Sequence, residues 1–120
     1  MTNFTGNISQ PAVLREVKRD GVTVKVADFN VAENRRQRNG KTTTIFWRVT
    51  VWRNLAEKLT PYLTVGRIVS IEGDATCSPY IDKNGNAAAT MEIKNPVKVT
   101  LFGKNLAEAE AFDGEAAEEE

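Results

Sequence analysis

The stretch from Thr44 to Trp52 alternates with a period of two. Ile45, Trp47, Val49 and Val51 fall on one side; Phe46, Arg48, Thr50 and Trp52 fall on the other. A strand with one buried face normally carries polar residues on its outer face. Here the outer face carries two aromatic rings with a cation between them. Residues at i and i+2 stand about 7 Å apart on a strand, so the four side chains form a ladder. An exposed ring can stack a nucleic-acid base, worth roughly 1–3 kcal/mol and tolerant of sequence. Arg48 can bind a phosphate or stack on a base. The alternative is structural, with Phe46 and Trp52 buried by another strand or subunit. Trp47 points the other way, toward the core or a subunit interface.

Two further groups can join this ladder. Arg35, Arg36, Arg38 and Lys41 give the segment Arg35 to Lys41 four positive charges and no negative ones. Such a loop is ordinary solvated surface by itself, but beside stacking rings it makes a phosphate funnel. Tyr80 supplies another ring close to Lys83, and Arg53 adds a cation directly after the ladder.

These groups need a β scaffold, and short runs of Val, Ile, Thr and aromatics supply one. A first extended stretch covers Phe4 to Lys18, broken near Gln10-Pro11, and Asp20-Gly21 marks a turn. Val22, Val24 and Val26 then share a face, after which Phe29 and Val31 continue on odd numbers. That slip predicts a β-bulge around Ala27-Asp28. After the ladder strand, Asn54 to Leu63 predicts a helix. Asn54 caps it with Glu57 three residues on, and Leu55, Leu59, Tyr62 and Leu63 form its apolar stripe. Pro61 shortens or distorts the last turn. Arg67 to Ala75 reads as a fourth strand. A hairpin turning at Asp82-Lys83-Asn84-Gly85 follows, then a last strand, Pro96 to Phe102, with Val97, Val99 and Leu101 on one side.

Composition excludes several chemistries. The 120 residues include no histidine and one cysteine, Cys77. Imidazole chemistry, an internal disulfide, a CxxC redox pair and a multi-cysteine zinc site are therefore absent. Asp28, Asp74 and Asp82 come nearest to a nuclease-like carboxylate set, but they lie in separate strands and turns without ligand spacing. No cofactor is implied. No apolar run reaches the roughly 20 residues of a membrane helix, and no secretory signal is visible, so an intracellular, cytoplasmic protein is expected. The formal net charge of zero conceals a division. Residues 1–104 hold all 16 basic side chains and 9 of the 16 acidic ones, a net of +7; residues 105–120 hold the other 7 acids. The expected organisation is a basic domain, 1–104, and a short acidic tail, 105–120. The tail would be frayed helix from Leu106 to Phe112 and disordered at its end.

Three strands, a short helix, then more strands is the order of the OB-fold. The expected class is thus all-β with one short helix: a five-stranded Greek-key barrel with a long hairpin between its fourth and fifth strands. The residues themselves resemble the bacterial-type single-stranded DNA-binding proteins from about Asn3 to Phe102. The similarity is strongest in Phe46-Trp47-Arg48-Val49-Thr50-Val51-Trp52 with Leu55-Ala56-Glu57, in Tyr62-Leu63-Thr64-Val65-Gly66, and in Ile71-Glu72-Gly73. Gly6-Asn7-Ile8, Val31 to Arg36 and Tyr80 to Gly85 add to it. The resemblance implies that Phe46, Trp52 and Tyr80 stack bases, that Arg48 contacts DNA, and that four chains assemble with Trp47 near a subunit interface. A stacking aromatic common in the family at the end of strand two is replaced here by Arg35. The family's long Gly/Gln/Pro-rich linker and hydrophobic tip are replaced by the short acidic tail.

The expected function is sequence-tolerant coating of single-stranded DNA in replication, recombination and repair, by base stacking and phosphate contacts. The partners implied are single-stranded DNA and three further copies of the chain, with no membrane. Recruitment of replication or repair proteins by the tail would have to proceed without a hydrophobic tip. An OB module for structured RNA, or one making mainly protein contacts, is the alternative.

Overall fold

The computed structural model describes residues 1–103 and 109–113. The chain runs β1 (Thr2–Arg19), β2 (Val22–Arg36), β3 (Thr42–Trp52), α1 (Arg53–Leu59), β4 (Ile68–Gly73), β5 (Ala75–Ile81), β6 (Ala87–Ile93), β7 (Lys98–Phe102) and β8 (Ala109–Asp113). All strands belong to one sheet in the order β5-β6-β3-β2-β1-β4-β7-β8. The predicted element order stands, with the helix after the third strand. The expected class holds, mainly β with one short helix; both hairpin arms and β8 also join the sheet, which does not close on itself.

β1 bends the sheet. Its first residues, Thr2 to Asn7, pair with β4, whereas Asn7 to Arg19 pair with β2. One strand therefore serves two neighbours, and it shifts register between Ile8 and Gln10 and again between Gln10 and Val13. The expected bulge at Ala27-Asp28 is thus misplaced: β2 pairs with β3 without interruption from Val26 to Arg36, and the extra residues are in β1. The phase slip in β2 arises because both faces are covered there. Val26 and Ala27 point to opposite sides and are both fully buried.

Inside the bend lies the core, where Phe4, Ile8, Phe29, Val31, Trp47, Val49, Val51, Val69, Ile71, Ile93, Val99 and Leu101 meet Leu55, Ala56, Leu59 and Leu63. The helix differs from expectation in two ways. Its entry position is Trp52, without a side-chain cap, and Arg53 takes φ +58°. The chain turns out of β3 through this left-handed residue, which puts Asn54 inside the first turn and not at the cap. The α-helix stops at Leu59 and a 3-10 turn follows over Thr60–Tyr62, where Pro61 has no N–H to give. That change of pitch keeps Leu63 in the core and turns Tyr62 out to solvent. Val97 is likewise half exposed, while Val99 and Leu101 face inward.

The end of the expected tail helix, Ala109–Phe112, is strand instead. β8 pairs with β7 along five residues, Lys98↔Asp113 to Phe102↔Ala109. Phe112 packs against the core, with the Lys58 ammonium 5.2 Å from its ring centre. An open strand edge and an apolar seat outweigh the helix propensity of a short Ala/Glu segment. The rest of the expected helix, and the tail end where disorder is expected, lie outside the described residues.

Candidate nucleic-acid interface

Sheet register decides which side chains share a face. In β3, Phe46, Arg48, Thr50 and Trp52 stand opposite Ala32, Asn30, Asp28 and Val26 of β2. On the other side of β3, Arg48 is level with Glu92 of β6 in a short parallel pairing. Glu92, Thr90 and Ala88 in turn oppose Thr76, Ser78 and Tyr80 of β5. One continuous face therefore crosses four strands and carries Tyr80, Phe46, Arg48 and Trp52. A groove of about 560 Å³ runs along it, lined by Asn30, Phe46, Arg48, Tyr80 and Thr90 among others.

The rings differ in availability. Phe46 is 61% exposed and Tyr80 50%, so both present open faces to a ligand. Trp52 is half-buried. Its Nε1–H donates to the Lys94 carbonyl at 2.6 Å, and the Arg19 guanidinium lies 4.7 Å from its ring centre. One side of this indole is therefore already engaged. Trp47 is buried within the chain, stacked on Phe4 at 4.5 Å with 12° between planes. Its Nε1–H donates to Glu33 at 2.9 Å. Its ring thus belongs to the core of this chain.

The cations divide between faces. Arg36 pairs with Thr42 on the ring-bearing face, about 13 Å along the strand from Phe46. Arg35 stands opposite Thr43 on the other face and pairs with Glu33 at 3.1 Å, so it does not take the place of the missing ring. Arg38 and Lys41 are exposed at the β2–β3 turn, closed by a Gln37 N–H to Lys41 carbonyl bond of 2.7 Å. Lys83 is exposed at the tip of the β5–β6 hairpin. There Asp82 accepts the Asn84 and Asn86 N–H groups, each at 2.9 Å. Arg53 is not brought to this face. It lines a separate groove of about 370 Å³ with Val24, Lys25 and Glu57.

Two residues of the face were not singled out as binders by their sequence positions. Asp28 lies beneath the ladder and accepts Thr50 Oγ1–H at 2.6 Å, Arg15 Nε–H and, at 3.4 Å, Arg15 Nη2–H. Arg48 Nη2 is 3.7 Å from the same carboxylate. Burial by itself would raise the Asp28 pKa, but the hydrogen bonds from Arg15 and Thr50 and the two guanidinium charges outweigh it. The carboxyl is held below its ordinary range. The Arg15 guanidinium is raised by its hydrogen bond to Asp28. The readable signal was the run of polar even positions in β2, Asp28 and Asn30, which only strand pairing sets against Thr50 and Arg48. Among the described residues no group of three or more carboxylates or cysteines could hold a metal ion.

Comparison with known proteins bears on the family and the fold. Residues 2–102 match the model of the single-strand binding protein family. A single-stranded DNA-binding protein of Chlamydia caviae is 32% identical over 66 residues, 54% of this chain and 41% of that protein. Single-stranded DNA-binding protein 1 of Streptococcus pyogenes is 37% identical over 70 residues, 57% of this chain and 53% of that one. The chain thus matches about half the length of these relatives. The crystal structure of a small single-stranded DNA-binding protein from Streptomyces coelicolor superposes with a TM-score of 0.64. It covers 88% of this chain and 94% of that one at 23% identity, a likeness of fold.

Proposed function

The chain belongs to the single-strand binding protein family, and from that premise we propose that it coats single-stranded DNA without regard to sequence. The observation that supports this best is the pair of open rings, Phe46 on β3 and Tyr80 on β5, on one face with Arg48 two residues along β3 from Phe46. Bases stack on the rings, and the backbone meets Arg48, Arg36 and the exposed cations of the two hairpin tips. In this reading the protein acts by binding, as the family's description says. Its place is wherever strands are exposed, in replication, recombination and repair, in the cytoplasm at the nucleoid. No described helix is long and apolar enough to cross a membrane. Four chains assemble around the strand in this reading.

A titration with oligo-dT at two salt concentrations, followed by tryptophan fluorescence, tests it. Light scattering on the same samples reads the mass. Quenching, an affinity that weakens with salt and a mass near four chains support the proposal. Preference for duplex DNA over the single strand overturns it.

A further inference from the structure

The Arg15–Asp28–Arg48–Thr50 cluster has a definite hierarchy. Asp28 holds Arg15 side-on, through both Nε and Nη2. It holds Arg48 only through Nη2 at 3.7 Å, beyond hydrogen-bond length. The Asp28 side chain is 15% exposed, against 45% for Arg15 and 49% for Arg48. The carboxylate therefore lies underneath, and an approaching strand meets the two guanidinium groups first. Across the sheet, Arg15 and Trp52 stand on either side of Val26. They occupy one row, about 10 Å apart at ordinary strand spacing. Arg15 thus extends the ladder onto β1.

We propose that Arg15 is a further strand-contacting residue, and that Asp28 is an internal counter-ion from which a DNA phosphate draws Arg48 away. The inference rests on the reading of this face as a single-stranded DNA platform. Two cations against one carboxylate leave the cluster with one net positive charge. Arg48 exchanges a long ion pair for a charge-assisted hydrogen bond to phosphate, while Arg15 stays anchored and keeps Nη1, which Asp28 does not engage. The carboxylate competes with the strand and thereby limits affinity. Glu92, level with Arg48 on β6, adds a second negative charge on the same face, but it takes up Ser78 Oγ at 3.2 Å.

Anisotropy of labelled oligo-dT over a range of salt tests this with the full chain. The proteins compared are wild type, Asp28→Asn, Arg15→Gln, the double variant, and Lys98→Gln on β7 as a charge control. Circular dichroism checks the fold of each. Asp28→Asn is expected to bind several-fold tighter at low salt, with a steeper salt dependence. Adding Arg15→Gln to Asp28→Asn is expected to weaken binding several-fold and flatten the slope by about 0.7, the value of one single-strand phosphate contact. The double variant is the decisive one, because there Arg15 has no carboxylate left to neutralise. If Arg15→Gln in that background does no more than Lys98→Gln does, Arg15 is only a partner of Asp28 and the proposal falls. Weaker binding by Asp28→Asn overturns the competition. A folded wild type that ignores oligo-dT overturns instead the platform reading beneath both.

Discussion

The Trp47 ring lies on the Phe4 ring, 4.5 Å between centroids and nearly parallel to it. This pair joins β3 to β1 inside the bend of the sheet. Removing the lower ring leaves a large hole with little around it free to collapse. Phe4→Ala is expected to cost about 3–5 kcal/mol of stability, measured by urea unfolding. The tryptophan emission of the variant should also shift to the red as water reaches Trp47.

Adjacent residues on β3 make a contrasting pair. Phe46 has an exposed ring, so Phe46→Ala should weaken oligo-dT binding by about 1–3 kcal/mol and leave the unfolding midpoint almost unchanged. Trp52 carries a hydrogen bond and a covering arginine, so Trp52→Ala should lower both binding and stability. Because Trp47 is enclosed, quenching of fluorescence by DNA should come from Trp52 and vanish in Trp52→Phe.

Gly6 is where β1 leaves β4 for β2. A Cβ there would overlap the Ala32 carbonyl oxygen and come within 2.9 Å of Val31 Cγ1. Both are held by β2–β3 pairing and cannot move aside cheaply. Gly6→Ala is expected to destabilise by about 1–3 kcal/mol, read as a lower melting temperature.

Asp28 links stability to acid. Its folded pKa lies below its ordinary value of 3.8. The contribution is therefore complete above that value and is lost as pH falls through the folded pKa. Wild type should lose urea resistance between pH 4 and more acidic solution faster than Asp28→Asn does. Identical slopes in the two proteins would mean the ion cluster contributes nothing to folding.

The acidic tail has a structural part as well as a charge. Deleting residues 105–120 removes β8, uncovers the β7 edge and empties the seat of Phe112. We expect a lower melting temperature and a greater tendency to associate through the bare edge. Phe112→Ala should reproduce the stability loss in part while keeping every tail charge. Any gain in low-salt DNA affinity on deletion that Phe112→Ala lacks then belongs to the charges.

Much of this was legible from local pattern. The period-two run of β3 identified both its faces, because alternation is a property of the extended chain itself. The same run put Phe46, Arg48 and Trp52 on one side and Trp47 on the other. The helix after β3 and the turn at Asp82 to Gly85 were equally local. What one stretch could not show was which neighbour stands beside it. The β1 bulges and the pairing of Ala109–Asp113 with β7 depend on which strand lies alongside. So does the division of Arg35 from Arg36, which strand register decides to the residue.

The binding face shows the same limit. Sequence by itself determined the kinds of residue available, rings with a cation on one strand and a basic turn beside it, since those follow from order and spacing. Only tertiary structure decided that Tyr80 joins them across β6, that Arg53 does not, and that Asp28 and Arg15 lie among them. The reason is physical. A side chain's direction is set by its own strand, but its electrostatic partners are set by the strands packed alongside, and those come from 13 to more than 40 residues away.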